Sequence, residues 1–258
     1  MNSPPRTSSP PRIAYRAGVP GTAPPSAVQA LAEVMVCQQL REAEGVSELS
    51  WPEFSGLILA GPPSLGPLAA DEGSIPAGFS LDPELPVSLD TDLDDRETQE
   101  QFLDLVLGYR DVRDLFREGW RIADLVAFNV RERFRVIGHD PKKHTLIGRL
   151  VAKAKDHPRE FLETEIASLF LSALAKPMTR RKHVNVLEHI ADFVAPRIDA
   201  LHRDSLAESI ASYGRGQAPR RVPLTLLRAY VEETGIAGLR AQSYLYPDPV
   251  LLRFLELG

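Results

Sequence analysis

Apolar residues recur along most of this chain with the spacing of amphipathic helices. From residue 96 onward they return every three or four positions, which places them on one face of a helix. The segments with this spacing are residues 97–116, 120–137, 142–156, 158–174, 177–198, 202–213 and 219–233, with a short helical pair after them. No strand pattern follows Ile75. The sequence therefore predicts a mainly α protein whose C-terminal part is an all-α helical bundle.

The first 95 residues show no sustained helical period. Residues 1–26 carry seven prolines and few apolar positions, which is typical of a disordered leader. Residues 27–43 have helical spacing, and the apolar run 57–59 before Gly61-Pro62-Pro63 predicts a buried strand. Residues 67–95 are acidic and rich in Pro and Gly, as linkers are. We expect a disordered leader over 1–26, a short, poorly ordered or α/β remnant with a linker over 27–95, and a helical domain over 96–258.

Composition narrows the class of protein. The single cysteine of this 258-residue chain, Cys37, excludes an internal disulfide and any site built from several thiolates, which fits a reducing compartment. The N-terminus lacks the apolar core of a signal peptide, and no apolar run reaches the roughly 20 residues of a membrane helix. We expect a cytoplasmic protein without a membrane partner.

Charge is distributed unevenly, although the net charge is only −5. Residues 1–128 contain 9 basic and 20 acidic side chains, whereas residues 129–189 contain 13 basic and 7 acidic ones. A locally basic segment in an acidic protein is typical of a surface that faces a polyanion. Electrostatic attraction between the two parts of the chain is the alternative explanation.

The basic segment contains two clusters on predicted helix surfaces. Opposite the apolar face of the helix 142–156 lies a solvent-facing stripe of Lys142, Arg149 and Lys153. The helix 177–198 carries the second set of residues, three cations at its start and two polar residues on its outer face: Arg180, Arg181, Lys182, Asn185 and His189. Because cations at a helix N-terminus are locally unfavourable, the three require acidic neighbours or a bound anion. We predict that the six cations contact phosphate groups, and that Asn185 and His189 contact a base or a phosphate or are merely solvated.

Two further histidines, His139 and His183, are candidates for a pocket. His183 falls at the edge of the apolar face, which favours a structural hydrogen bond, and His139 stands before Asp140-Pro141, where a helix-end contact is the simpler explanation. His183 and His189 are six residues apart and diverge by about 120°, unlike a helical zinc pair. No nucleophile elbow, phosphate-binding loop or dinucleotide motif is complete. We predict no catalytic residue, no metal and no cofactor.

Several segments, in order, resemble one known family. The segments lie at residues 106–110, 148–150, 176–177, 183–189, 222–227 and 242–245, and the last reads Gln-Ser-Tyr-Leu. They closely resemble the YbgA-like domain, a domain of unknown function, from about residue 96 to the C-terminus. Two departures occur where the family usually has a histidine followed by a basic-aromatic run: here Asn129 and Glu132-Arg133-Phe134 stand.

This resemblance implies a function in RNA binding. The YbgA-like domain often follows a thiouracil desulfidase domain, and is thought to help bind tRNA that carries 4-thiouridine. Residues 27–95 resemble a shortened desulfidase remnant, in which Leu65 stands at the position of a cysteine ligand. Since an iron–sulphur cluster generally requires at least three thiolates, Cys37 alone cannot hold one. The resemblance thus implies a non-catalytic module for RNA, with tRNA as first candidate and a desulfidase as possible partner.

Two alternatives remain open at this stage. The helical domain could be a small-molecule enzyme with a pocket among His139, His183 and His189, which requires at least two of these rings to converge with a carboxylate. It could also be a structural or protein-interaction domain whose basic face docks on the acidic N-terminal segment.

Overall fold

A computed structural model of the protein describes residues 11–16, 26–39, 54–59, 85–89 and 92–256. Within these ranges the chain forms four strands and eleven α-helices, which confirms the mainly α prediction. The chain divides into two compact units, one consisting mainly of Leu115–Asp248 and the other of Pro5–Asp114 with Pro249–Gly258. Each unit has its own core.

The smaller unit is built on a parallel sheet. Its strands are β1 (Arg12–Arg16), β2 (Val36–Gln39), β3 (Phe54–Leu59) and β4 (Val87–Leu89), in the spatial order β2-β1-β3-β4. All three strand pairs are parallel, with Ile13 opposite Cys37 on one side and opposite Gly56 on the other. β1 is thus a central strand of the sheet.

Three helices belong to the same unit as the sheet: α1 (Ser26–Ala32), α2 (Arg96–Leu115) and α11 (Pro249–Glu256). Their buried apolar side chains form one core with those of the strands, including Ile13, Leu31, Ile58, Leu103 and Phe254. A side chain at Gly56 would come within 2.7 Å of Val106 Cγ2, so the glycine lets α2 approach β3 closely.

Three sequence predictions fail in this unit. Arg12–Arg16, assigned to the disordered leader, forms the central strand β1, and the helix predicted over 27–43 ends at Ala32 with β2 following. β4 lies where no strand was predicted. In each case the strand has only three to five residues and is held by pairing with distant segments, which local periodicity does not report. The predicted strand at residues 57–59 is confirmed within β3, whereas residues 60–84 lie outside the described ranges.

The larger unit is entirely helical in its regular structure. Its α-helices are α3 (Ile122–Arg131), α4 (Arg133–His139), α5 (Pro141–Ala152), α6 (Arg159–Leu174), α7 (Arg180–Val194), α8 (Ala200–Gly214), α9 (Arg221–Thr234) and α10 (Ala237–Arg240). Helix α2, which the sequence analysis placed in the helical domain, shares its core with the sheet instead. The single helix predicted over 120–137 is divided into α3 and α4 at Glu132.

One core of the helical unit surrounds α7. Its fully buried members on this helix are Leu187, Ile190 and Val194, which recur at helical spacing and pack with residues of α8 and α9 such as Leu206 and Leu227. The apolar arc predicted for this helix is therefore confirmed at these three positions. The opposite face of α7 is left for polar residues and solvent.

Candidate functional site

Two of the helices that begin in the basic segment, α5 and α7, have a side-chain N-cap. α5 begins at Pro141 after Asp140, whose carboxylate accepts hydrogen bonds from the backbone N–H groups of Lys142 at 3.0 Å and Lys143 at 3.3 Å. α7 begins after Thr179, whose hydroxyl accepts from the backbone N–H of Lys182 at 3.4 Å. Side-chain acceptors of this kind satisfy N–H groups that the helix itself leaves unpaired.

The side chain of Lys182 joins these two helix starts. Its Nζ donates to the backbone carbonyls of His139, at 3.0 Å, and Pro177, at 2.8 Å. The half-buried ammonium is therefore held by neutral acceptors of this chain. Lys182 thus makes a structural contact between the end of α4 and the start of α7, and its contact with a phosphate stays a prediction.

Arg180 is also engaged within the fold. Its guanidinium carbon lies 5.7 Å from the centroid of the Tyr213 ring, and its Nη1 packs against Gly216, where a side chain would overlap it. Gly216 has φ +77°, a conformation that favours glycine. Arg180 is exposed to solvent as well, but the ring contact accounts for its position. Among the three clustered cations, Arg181 is therefore the one whose side chain has no partner among the described residues.

A second set of contacts surrounds the N-cap of α5. The ammonium of Lys176 pairs with the Asp140 carboxylate, and that of Lys143 donates to the Ser172 hydroxyl. The hydrogen bond from Lys176 and those from the helix N–H groups hold the pKa of Asp140 below its usual value. Burial lowers the pKa of Lys143, and the nearby Lys176 ammonium lowers it further. The start of α5 therefore carries more positive charge than Asp140 compensates.

Four predicted phosphate ligands remain exposed cations: Lys142, Arg149, Lys153 and Arg181. Among the residues that the structure describes, none of the four side chains has an ion-pair or hydrogen-bond partner. The three on α5 span 11 residues, about 16 Å along the helix axis, with Lys153 at its C-cap. The predicted cationic stripe of α5 is thus present on the surface.

Asn185 and His189 differ from each other in environment. Asn185 is exposed without a partner among the described residues. His189 is half-buried between two aromatic rings, edge-on to Phe134 at a centroid distance of 5.4 Å and stacked on Phe193 at 5.7 Å. His189 therefore lies on the predicted outer face of α7 but within an aromatic stack, and its contact with a base or a phosphate stays a prediction.

His139 and His183, the candidate pocket residues, are buried in two different settings. Nδ1 of His139 lies 2.6 Å from the Lys176 carbonyl oxygen, which only accepts, so this nitrogen carries the proton. Nε2 of His183 lies 2.5 Å from Nη1 of Arg220, which only donates, and Nδ1 lies 3.1 Å from the Tyr244 hydroxyl. These three contacts are those expected of structural histidines, the explanation that the sequence favoured for His183.

Glu132, a residue that the sequence analysis did not single out for a role, lies at the junction of α3 and α4. It is 1% exposed, and its carboxylate contacts Arg131 Nε at 2.6 Å, Arg135 Nη1 at 3.1 Å and the Ser243 hydroxyl at 2.6 Å. Burial acts to raise the pKa of Glu132, but the two arginines and Ser243 outweigh it, so that the pKa lies below its usual value.

The neighbouring Gln242 completes this junction. Its amide nitrogen donates to the carbonyls of Val130, at 2.8 Å, and Gly238, at 3.0 Å, while the backbone N–H of Ser243 donates to the Arg131 carbonyl at 2.9 Å. The segment Gln242-Ser243-Tyr244 therefore links the end of α3 with α4 and, through Tyr244, with His183. The closeness of Arg131 and Arg135 to Glu132 in the sequence could have indicated an ion cluster. It could not have indicated the third partner, Ser243, which lies 111 residues further along the chain.

Two negative findings apply to the described part of the chain. No group of three or more His, Cys, Asp or Glu side chains is arranged there to hold a metal ion. Likewise, none of the helices within the described ranges combines the length and the apolarity that a membrane crossing requires.

Comparison with known proteins shows what the helical part is similar to. A family described as "Protein of unknown function (DUF1722)" matches residues 133–249. The uncharacterized protein YbgA of Escherichia coli (strain K12) is 27% identical over 153 residues, which cover 57% of this chain and 89% of YbgA. No solved structure matches the chain. The resemblance of residues 27–95 to a desulfidase stays a prediction. The chain therefore contains a YbgA-like domain of unknown function.

Proposed function

We propose that the helical domain is a non-catalytic module that binds structured RNA, with tRNA as the first candidate. The observation that carries the proposal is the set of four exposed cations, Lys142, Arg149, Lys153 and Arg181, for which the described residues provide no partner. They lie in the segment with the largest excess of basic residues in an otherwise acidic chain. Positive charge that is not used inside the fold is available for phosphate groups.

The two basic helix starts belong to one region of the surface. Lys182 donates to the carbonyl of His139, immediately before the N-cap of α5, and Lys176 pairs with that N-cap. Arg181 of α7 and Lys142 of α5 therefore both lie in the first turns of helices that are fastened to each other. The positive end of each helix dipole also favours anions.

The contacts expected of this surface are with the RNA backbone. Lysine and arginine side chains on a helix surface neutralise phosphates without reading base edges, so the binding would be sensitive to salt and directed mainly by RNA shape. A desulfidase acting on thiolated tRNA is the partner that the family resemblance suggests. In this proposal the domain supplies affinity for the RNA and leaves the chemistry to that partner.

A small-molecule enzyme is less well supported by the geometry. His139 is engaged by the Lys176 carbonyl, His183 by Arg220 and Tyr244, and His189 by two phenylalanine rings. Each of the three histidine rings therefore has its own environment. A shared catalytic pocket would instead require at least two of these rings to converge.

The proposal is tested by charge removal at the free cations. We expect the double variant Arg149→Gln/Lys153→Gln to weaken binding of bulk tRNA and to reduce the slope of log K against log salt by about 1 for each lost phosphate contact. The matched control is Arg215→Gln/Arg240→Gln, which removes the same charge from exposed arginines that pair with Glu208 and Glu232. Equal slopes for the two double variants would contradict a role for the stripe.

A further inference from the structure

The outer face of α7 carries a continuous row of residues with a mixed character. Arg181, Asn185, His189 and Phe193 are each four positions apart, so they form one ridge along the helix. The ridge, called the α7 ridge below, begins with a free cation, continues with an exposed amide and ends with two aromatic rings. It spans about 18 Å along the helix axis.

Neighbouring side chains hold the aromatic end of the α7 ridge in place. Phe193 is 37% exposed, and His189 stacks on it with an interplanar angle of 25°. The guanidinium carbon of Arg133 lies 5.8 Å from the centroid of the Phe193 ring and 5.3 Å from that of the buried Phe134. Phe193 is therefore held by a ring and a cation while part of its surface remains open.

A further cation follows the aromatic end of the α7 ridge. Arg197, four positions after Phe193 and just beyond the helix, is exposed and donates from Nη1 to the Phe193 carbonyl at 3.0 Å. This contact holds the guanidinium of Arg197 at the C-terminal end of α7. Cations thus stand at both ends of the α7 ridge, with the aromatic pair between them.

We propose that the α7 ridge binds a single-stranded segment of RNA, with an unpaired base stacked on Phe193 and backbone phosphates at Arg181 and Arg197. Aromatic rings that alternate with cations are the arrangement by which proteins hold unpaired nucleic acid, because every base offers a flat face. Asn185, whose amide can donate and accept, lies between the first cation and the rings. By contrast, the stripe on α5 consists of cations alone, so it offers no ring on which a base could stack.

The acidic residues of α7 delimit the ridge. Glu188 and Asp192 are exposed and each precedes a ring of the ridge by one residue, which turns them about 100° around the helix. They form a parallel row that repels a phosphate backbone. The strand is therefore expected to run along the ridge rather than across it.

The inference rests on the proposed RNA-binding function, and one experiment separates the two. Binding of the full chain would be measured by fluorescence anisotropy with a short oligouridine, a blunt RNA duplex of the same length and bulk tRNA. We expect Phe193→Ala to weaken oligouridine binding roughly 5- to 100-fold, the effect of one lost base–aromatic stack, and to change duplex binding little. Phe193→Leu, which keeps an apolar contact to Phe134, should lose nearly as much.

Phe161 provides the matched control. It is 41% exposed and lies beside a histidine, His157, at a centroid distance of 5.1 Å, but no guanidinium covers it among the described residues. Phe161→Ala should therefore leave all three affinities unchanged. If Phe193→Ala, Phe193→Leu and Phe161→Ala bind oligouridine as the unmodified chain does while tRNA still binds, the ridge proposal is wrong and the proposed function stands. If no RNA binds the unmodified chain, both are wrong.

Discussion

At the scale of single residues, Glu132 shows most directly how sequence and fold are connected. Its carboxylate is buried with two arginines and one hydroxyl, and the segments it joins are 111 residues apart along the chain. A buried charge of this kind contributes little compared with a well-packed apolar group, but removing one partner leaves the others uncompensated. The residue is therefore a determinant of how α3 meets α4.

Replacing Glu132 with Gln should lower the free energy of unfolding of the helical domain by about 3–5 kcal/mol, since Arg131 and Arg135 lose their counter-charge. Chemical denaturation followed by circular dichroism measures the loss. Glu188→Gln, at an exposed position on α7, is the control and should change stability by less than about 0.5 kcal/mol. Similar losses for the two variants would contradict the buried ion cluster.

Acid should weaken the same cluster. Because the pKa of Glu132 is lower in the folded protein than its ordinary 4.5, its contribution to stability is complete above that value and is lost as the pH falls through the lower, folded-state pKa. Denaturation midpoints measured between neutral pH and the acid range should therefore fall less steeply in Glu132→Gln than in the unmodified chain.

Two glycines offer a paired test of packing in the helical unit. A side chain at Gly138 would overlap Met178 Cε and lie 3.3 Å from Val186 Cγ2, whereas one at Gly148 would meet nothing within 4 Å. Gly148→Ala should gain up to about 1 kcal/mol of stability. Gly138→Ala should gain less, because the flexible Met178 side chain must shift and Val186 lies close, which offsets the gain in helix propensity. Thermal melting of both variants checks the difference, and a larger gain at Gly138 would contradict the packing described here.

Cys37 should be a slow nucleophile in the folded protein. Burial raises the pKa of its thiol from 9.0 to about 11, so that near pH 8 only roughly one thiol in a thousand is ionised. Alkylation by iodoacetamide, followed by mass spectrometry, should be about 100-fold slower in the native chain than in guanidinium chloride. Equal rates in the two conditions would show that the thiol is not shielded.

At the scale of elements, helices were predictable and short strands were not. The long helices α2, α6 and α7 were expected within a few residues of their observed bounds, because each has a buried face that repeats with the helical period. β1 has five residues and is held in the sheet by pairing with β2, more than 20 positions further along the chain, and with β3, more than 40 positions further. Pairing over such distances leaves little trace in the local pattern, and the prolines around β1 favoured the wrong assignment.

The exposure of the predicted site residues followed from the sequence, but their contacts did not. The exposed faces of α5 and α7 follow from helical spacing, so Lys142, Arg149 and Arg181 were expected on the surface. The partners of Lys182 and His189 were not, because they are the carbonyls of His139 and Pro177 and the ring of Phe134, which come from other segments of the fold. Helical periodicity predicts the direction in which a side chain points from its helix axis. It does not predict which residues of other segments that side chain contacts.

The contrast between Lys182 and Arg181 provides a prediction at the scale of α7. Lys182→Met should lower the melting temperature, since the carbonyls of His139 and Pro177 lose their shared donor, with a cost of about 1–3 kcal/mol. Arg181→Gln should leave the melting temperature nearly unchanged and should weaken tRNA binding. Differential scanning fluorimetry and filter binding of the same two variants make the comparison. A larger loss of stability in Arg181→Gln than in Lys182→Met would contradict the assigned roles.

At the scale of the whole molecule, the chain combines a parallel-sheet unit with a YbgA-like helical unit. Its charge is divided accordingly, acidic over residues 1–128 and basic over residues 129–189. In the RNA-binding proposal the excess positive charge of the second segment faces an RNA backbone, whereas in an interaction domain it would face the chain's own acidic segment. The two assignments differ in a measurable property, the response of binding to salt.

The most direct test is the affinity of the purified full chain for bulk tRNA across a salt series. Contacts from about four free cations predict a slope of log K against log salt near −3, and so a fall in affinity of roughly 50- to 150-fold between 50 and 200 mM salt. Such a slope, reduced in Arg149→Gln/Lys153→Gln and kept in Arg215→Gln/Arg240→Gln, would support the account. Absence of tRNA binding even at the lowest salt would contradict it.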